Sequence, residues 1–417
     1  MEDIRKVTGN EIKRFVDLMS NAYPLRVPRT TENMAAVGFQ LLERMAYDAS
    51  QSVHGLYRDG EMLGGMIIYD FMLTYRQGRM PIGGVGSIAV DLLHKKERVC
   101  KEMIRYFLAQ ARRKKQSMVA LYPFRPDFYK RMGFGFGGKY SEYSVDPLAF
   151  AQTGRKACRM LSASDAEETA ACYNRCAKSR HGMLARTAGA FELLFNNPAY
   201  RVVGYDDGTG LKGFLNFQFQ PRKDSHFLVY DMVVEELIYE DTAALQGLLH
   251  FLRSQADQVK RVILYSQEEN FHHLLSDPRD GSDHVMPVLA HASHNSGVGI
   301  MYRVVDAAGF FRSAAKQSFG GQDCTLSLML RDDFLPENAA PLVVAFRNGL
   351  PSIVSGVVEA EVELHIDVAE FSSLVMGAVD FKTLERYGLA HLSDERYRDV
   401  VQRLFATEEK PICSTRF

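Results

Sequence analysis

A chain of 417 residues is longer than one ordinary domain and is expected to divide into two or three. Its 46% hydrophobic and 24% charged residues are those of a globular protein with full cores. With 50 basic and 51 acidic side chains the net charge is −1, so no global field points to nucleic acid or to a membrane surface, and neither is expected as a partner.

The opening MEDIRKVTGNEIKRF mixes charges from its second residue and has no apolar h-region, so it is not expected to be a signal peptide. TGNEIKRFVDLM places Ile12, Phe15, Val16 and Met19 on one helical face. HGLYRDGEMLGGMIIYDFML reads as a hairpin turned at Asp59-Gly60. VGSIAV is a short buried strand. A helix from about Glu97 to Arg113 follows, with Val99, Cys100, Met103, Ile104, Phe107, Leu108 and Ala111 on its apolar face. SMVALYPF, from Ser117, is a second buried strand. Strand, helix and strand in this order predict parallel neighbours joined by a right-handed crossover.

The same order returns about 145 residues later. VGYDDGTGLKGFLNFQF turns at Asp207-Gly208, LVYDMVV matches VGSIAV, EDTAALQGLLHFL matches the helix, and VKRVILY matches SMVALY. We read an internal duplication of one α/β unit. After about residue 300, YRVVDAAGFF, CTLSLML, APLVVAF, PSIVSGV and AEVELHIDVAEF read as strands or short apolar elements. Ser393 is expected to cap a last helix bearing Tyr397, Val400, Val401, Leu404 and Phe405. This is a third domain of α+β type. The six cysteines follow no framework spacing and read as reduced thiols of a cytoplasmic protein, with Cys172 and Cys176 in a helix core. His272, His273, His284, His291 and His294 lie in a Gly/Ser/Pro-rich stretch with no cysteine nearby, and no metal site is expected there.

Chemistry is expected at VGSIAV-DLLHKKER-VCKEM. The backbone of Ile88, Ala89 and Val90 offers a strand edge to an extended, amide-bearing ligand. Beyond it, the first N–H groups of the helix, at Val99 and Cys100, point outward, and His94, Lys95, Lys96 and Arg98 add cationic side chains. That combination suits a pyrophosphate, and two amides with a pyrophosphate describe coenzyme A. The same residues read equally as a solvated helix start. The duplicated loop, EELIYED, carries Glu235, Glu236, Glu240 and Asp241, which would repel a diphosphate. Opposite charges in the two loops predict one active and one scaffolding copy.

On three segments the chain resembles the Eis (enhanced intracellular survival) family of GNAT-superfamily N-acetyltransferases. SIAVDLLHKKERV is similar to the family's strand and pyrophosphate loop, PDFYKRMGFGFG to its Y-x-x-x-G-[FY]-G segment, and KPICSTRF to its ending in Phe. The resemblance implies α/β and α+β architecture: tandem GNAT-like domains, one active and one degenerate, then a sterol-carrier-protein-like α+β domain. We place these at residues 1–148, 149–298 and 299–417.

It also implies acetyl-CoA as co-substrate, a small-molecule or lysine primary amine as acceptor, and a homo-oligomer, specifically a hexamer. Tyr129 matches the general acid facing the leaving thiolate, and Phe417 the residue whose terminal α-carboxylate assists the amine. The structural alternative for Tyr129 is an ordinary buried aromatic beside Phe128. At ordinary values of about 10 and 8.5, full proton transfer from phenol to thiolate is uphill by roughly 2 kcal/mol, so a hydrogen bond to developing charge is the better use of Tyr129. Two departures stand out. Arg98 occupies the loop's usual glycine, where it either covers or blocks the pyrophosphate, and Arg416 has the wrong sign for polycationic acceptors. The rival reading is a non-catalytic coenzyme A or lipid-binding protein that keeps the fold.

Overall fold

The structure is a computed structural model describing residues 3–47, 49–152, 157–223, 225–356 and 358–417. Strand β1 (Asp3–Lys6) leads into α1 (Ile12–Ala22), whose Ile12, Phe15, Val16 and Met19 are all buried, as their spacing predicts. Helix α2 (Thr31–Tyr47) precedes the hairpin of β2 (Gln51–Arg58) and β3 (Glu61–Tyr75). Its turn residues Asp59 and Gly60 have φ of 52° and 85°, the left-handed backbone that a two-residue turn between right-twisted strands requires. Then come β4 (Gly78–Val90), α3 (Val99–Arg113), β5 (Met118–Leu121), α4 (Pro126–Lys130) and β6 (Gly135–Phe136).

The first sheet has seven strands in the order β1, β2, β3, β4, β5, Met301–Val304, β6. The strand Met301–Val304 runs antiparallel to β5 and β6, although its linear position lies past the boundary expected at 298. Each face of the sheet has its own core. Val85, Ile88, Val119 and Leu121 pack with Met103, Ile104, Phe107 and Leu108 of α3. Val53, Ile67 and Ala89 pack with Phe15, Val16 and Met19 of α1.

By its internal contacts the chain forms two units, residues 1–137 with 300–408 and 416–417, and residues 138–299 with 409–415. The first unit includes a five-stranded sheet ordered Leu350–Ile353, Leu342–Arg347, Cys324–Arg331, Val362–Asp367, Ala390–Leu392, with its central pair parallel. Two stretches expected to be strand-like divide: helix Ala307–Ser313 follows Met301–Val304, and helix Val368–Val375 follows Val362–Asp367. Within this unit Arg303 is fully buried and donates to both Asp332 oxygens at 2.8 Å and to the Met132 carbonyl. The last helix, Arg398–Phe405, is approached through a short turn capped by Asp394, whose carboxylate accepts from Arg396 N, rather than by Ser393. Ser393 is instead committed to the sheet, its Oγ accepting from Glu363 N at 2.9 Å.

The second unit repeats the plan. Its sheet is ordered His294–Val298, Lys139–Val145, Val259–Ser266, Tyr230–Tyr239, Leu211–Pro221, Arg201–Asp206, Cys158–Leu161. Strand Lys139–Val145 falls here although it precedes the boundary expected at 148. The helix Thr242–Arg253 lies between the two parallel strands Tyr230–Tyr239 and Val259–Ser266, as α3 lies between β4 and β5. The connection at Asp207-Gly208 is a longer loop than the two-residue turn expected, running from Asp207 to Gly210 and closed by Asp207 accepting from Thr209 N. Among the described residues no helix is long and apolar enough to cross a membrane.

Candidate active site

Strands β4 and β5 pair in parallel only at Gly83–Val119 and Gly84–Ala120. Beyond Gly84, β4 continues to Val90 on its β3 side alone, so the two parallel strands splay apart. A bulge in the β3–β4 register sits at the same place, with Ser87 at φ 49°. Ile88 and Ala89 have buried side chains and offer a ligand only backbone. The Ile88 carbonyl already accepts a hydrogen bond from the Tyr23 hydroxyl at 2.7 Å.

After β4 the chain is pinned by Asp91, which accepts from Leu93 N at 2.8 Å and from Arg14 at 2.6 Å. The Leu93 N–H and then Arg14 hold its carboxyl below the usual range. Two residues of the loop take left-handed backbone, Lys96 at φ 70° and Arg98 at φ 66°. Arg98 therefore adopts the conformation that a glycine takes freely, at a cost of roughly 1 kcal/mol for a residue with a Cβ.

Arg98 is the N-cap of α3 and makes no side-chain cap, so the N–H groups of the first turn, Val99 and Cys100 included, have no capping side chain. Among the described residues Lys95, Lys96 and Arg98 have no ion pair. The His94 Nδ1 is hydrogen-bonded to Glu97 at 3.0 Å, and Arg58 also holds that carboxylate at 2.7 Å. The helix start thus presents three unpaired cations and open N–H groups. The second unit differs at each point. Asp241 caps helix Thr242–Arg253 by accepting from Ala244 N at 2.8 Å, Glu240 is held by Arg175, and Glu236 by Arg186.

Tyr129 lies on α4 and is 2% exposed, edge-on to Phe124, Phe128 and Phe134. Two glycines fix its turn. Gly133 has φ 81°, and a Cβ there would overlap the Arg303 guanidinium; a Cβ at Gly135 would overlap the Ala369 carbonyl. Burial, and then nearby Cys100 and Tyr23, push the Tyr129 phenol well above its ordinary range. Among the described residues no hydrogen bond reaches its hydroxyl. Burial also raises the Cys100 thiol, to about 12, which keeps it protonated and unreactive.

Phe417 comes to the same splay. Its ring packs against Tyr69, Phe71 and Tyr122 at centroid distances of 5.5, 4.8 and 5.4 Å. Its carboxyl carbon and oxygen lie only 2.8 and 2.9 Å from where a Cβ at Gly86 would stand. Residues alternate across a strand, and Val85 points into the α3 core, so Gly84 and Gly86 face the opposite side. The terminal carboxylate and the start of α3 thus belong to opposite faces of one splayed pair. Sequence reasoning missed Tyr23, Tyr69, Phe71 and Tyr122. A signal for the site was nevertheless present in Gly83-Gly84-Val85-Gly86, since glycines inside a strand mark close approach of another group.

Among the described residues, the potential metal-ligand atoms that converge are those of Cys172, Cys176 and Glu240. Both cysteines are buried on helix Ala166–Ser179, and the Glu240 carboxylate is engaged by Arg175.

Residues 3–137 match a family described as acetyltransferase (GNAT) domain, residues 182–304 match a second family of the same description, and residues 310–414 match the sterol carrier protein domain. The chain is an enzyme of the GNAT acetyltransferase class. More particularly, it carries two GNAT domains followed by a sterol carrier protein domain. Eis1 from Mycobacterium abscessus shares the fold over 100% of both chains at 21% identity and a TM-score of 0.76. GCN5-related N-acetyltransferases from Anabaena variabilis (15%, TM-score 0.80) and Kribbella flavida (18%, TM-score 0.78) do so over the same extent. No curated protein matches the sequence.

Proposed function

We propose that the first unit transfers an acetyl group from acetyl-CoA to a primary amine by direct attack. The observation that carries this reading is the placement of Phe417's carboxylate and of the uncapped, cationic start of α3 on opposite faces of the β4–β5 splay. The acyl donor enters from the α3 side. Its diphosphate lies on the N–H groups of Val99 and Cys100 with Lys95, Lys96, Arg98 and His94 around it, and its amides run along Ile88–Val90. The amine enters from the Phe417 side.

The terminal carboxylate accepts a hydrogen bond from the amine and orients its lone pair. The C–N bond forms as the C–S bond breaks, the nitrogen gives up one proton, and the departing thiolate takes one up. Tyr129 donates a hydrogen bond to the charge developing on sulfur. With the Cys100 thiol held protonated, no cysteine acyl intermediate is needed. Residues 149–298 serve as the degenerate partner and 299–417 as the carrier-like domain. The acceptor is a small-molecule amine or a lysine side chain, with the exposed Arg416 opposing polycations of the aminoglycoside kind. The same reading makes the enzyme a cytoplasmic homo-oligomer, with a hexamer implied by the family resemblance.

The experiment is thiol release from acetyl-CoA across a panel of primary amines. Amine-dependent release is expected. An enzyme that binds acetyl-CoA yet releases no thiol with any amine, lysine peptides included, is the rival binding protein. Changing Lys95 and Lys96 together to Ala should raise the dissociation constant for acetyl-CoA about fivefold, or ~1 kcal/mol, at low ionic strength. The difference should shrink as salt screens the diphosphate. An unchanged constant at low salt moves the diphosphate elsewhere.

A further inference from the structure

The second unit keeps the GNAT splay. Its parallel strands Tyr230–Tyr239 and Val259–Ser266 pair as far as Val234–Leu264, and their ends then part. The helix Thr242–Arg253 starts with its own acidic cap, Asp241, whose carboxylate stands where a diphosphate would have to lie. Residues 411–415 of the same chain lie in the splay instead. Ile412 and Ser414 form one wall of a small cavity of about 50 Å³ whose other walls include Glu235–Ile238 and Leu264–Glu268.

The segment is bound as a peptide ligand would be. Gln267, one residue past the strand Val259–Ser266, reads both backbone groups of Cys413: its Oε1 accepts from Cys413 N at 2.9 Å and its Nε2 donates to Cys413 O at 2.6 Å. Ile412 N donates to the His181 carbonyl at 2.9 Å. Arg186, fixed by a bidentate pair with Glu236 at 2.9 and 3.0 Å, donates to Thr415 Oγ1 at 2.9 Å, and the Tyr173 hydroxyl lies 3.0 Å from the same oxygen. Gly182, at φ 93°, makes room, since a Cβ there would stand 2.7 Å from Ile412 N. Cys413 is fully buried.

We propose that the second unit is a binding site for its own chain's C-terminal segment, occupying the splay that the first unit reserves for the acyl donor. Gln267 and Arg186 are positioning residues: they touch no substrate and act through Phe417. From Thr415 the chain has only two residues left, about 7 Å at full extension, so fixing Cys413 and Thr415 sharply limits where the terminal carboxylate can go. The duplicated domain is retained because it holds the catalytic terminus. The link to turnover rests on the proposed acetyl transfer; the anchoring itself does not.

The test uses the full-length protein and two variants. Thr415→Val changes the segment alone and leaves the fold of the second unit intact, while Gln267→Ala removes the receptor side. Carboxypeptidase A release of Phe417, followed by mass spectrometry, should be at least tenfold faster in both, and kcat should fall at least tenfold with the acetyl-CoA dissociation constant unchanged. Release at the wild-type rate in both variants overturns the proposal. Faster release in a protein whose wild type transfers no acetyl group upholds the anchoring and refutes the acetyltransfer reading instead.

Discussion

Gly86→Val is expected to lower kcat by about a hundredfold while leaving the melting temperature within a few degrees of wild type. The Cβ it adds would stand 2.8 Å from the carboxyl carbon of Phe417, well inside contact distance, so the terminal residue must move by on the order of 1 Å. A displacement of that size at a reacting group is enough for a loss of this scale. The strand itself tolerates the change, because Gly86 has no positive φ and valine suits extended backbone. Adding one glycine after Phe417 displaces the same carboxylate by another route. The two changes remove one interaction, so the double variant should lose no more than the worse single one. Full turnover in Gly86→Val, or losses that multiply in the double variant, would show that the terminal carboxylate takes no part.

The hairpin, crossover helix and flanking strands of both α/β copies were readable because their signals are local, whereas α2 and strand Lys139–Val145 were not read. A run such as VCKEMIRYFLAQARR carries its own period, and all six apolar residues that α3 buries are among the seven expected from it. What could not be read was which sheet a strand joins. MYRV at 301–304 is a short apolar run like any other, and only its pairing with β5 and β6 shows that it completes the first sheet. The cap of the last helix failed for a similar reason. Ser393 and Asp394 are both capping residue types, and the choice was made by Glu363, a residue distant in sequence that takes the serine.

Of the candidate site, the loop and Tyr129 were singled out from residue type and family likeness, but the conformation of Arg98 was not legible there. Sequence sets an arginine at this position and leaves its backbone conformation open; the φ of 66° is left-handed. The aromatic wall of Tyr69, Phe71 and Tyr122 around Phe417 was illegible for a different reason. Strand aromatics alternate between faces, and only the register of Tyr69 opposite Gly84 reveals which ones meet the chain end. The tail's receptor in the second unit was hidden more deeply still, since Gln267 and Arg186 match no motif and gain meaning only from Cys413 and Thr415.

Tyr129→Phe should lower kcat by roughly 10² to 10³, the usual loss when one preorganised donor to developing charge is removed. The acetyl-CoA dissociation constant should be nearly unchanged. Stability should not suffer, because no hydrogen bond from the described residues reaches the hydroxyl and the ring stays packed against Phe124, Phe128 and Phe134. The pH profile separates a hydrogen-bond donor from a titrating acid. Burial favours the neutral phenol, so its proton stays on well above the ordinary value near 10. The wild-type rate should therefore rise with pH as the amine loses its proton and show no fall up to about pH 10, and Tyr129→Phe should give the same curve at lower height. The upward shift also makes full transfer to the thiolate costlier than the roughly 2 kcal/mol it would need at ordinary values, so the thiolate leaves hydrogen-bonded and takes its proton from solvent. A wild-type rate that falls below pH 9 on the alkaline side, in a limb absent from Tyr129→Phe, would mean that the phenol titrates in the working range and gives up its proton in the rate-limiting step.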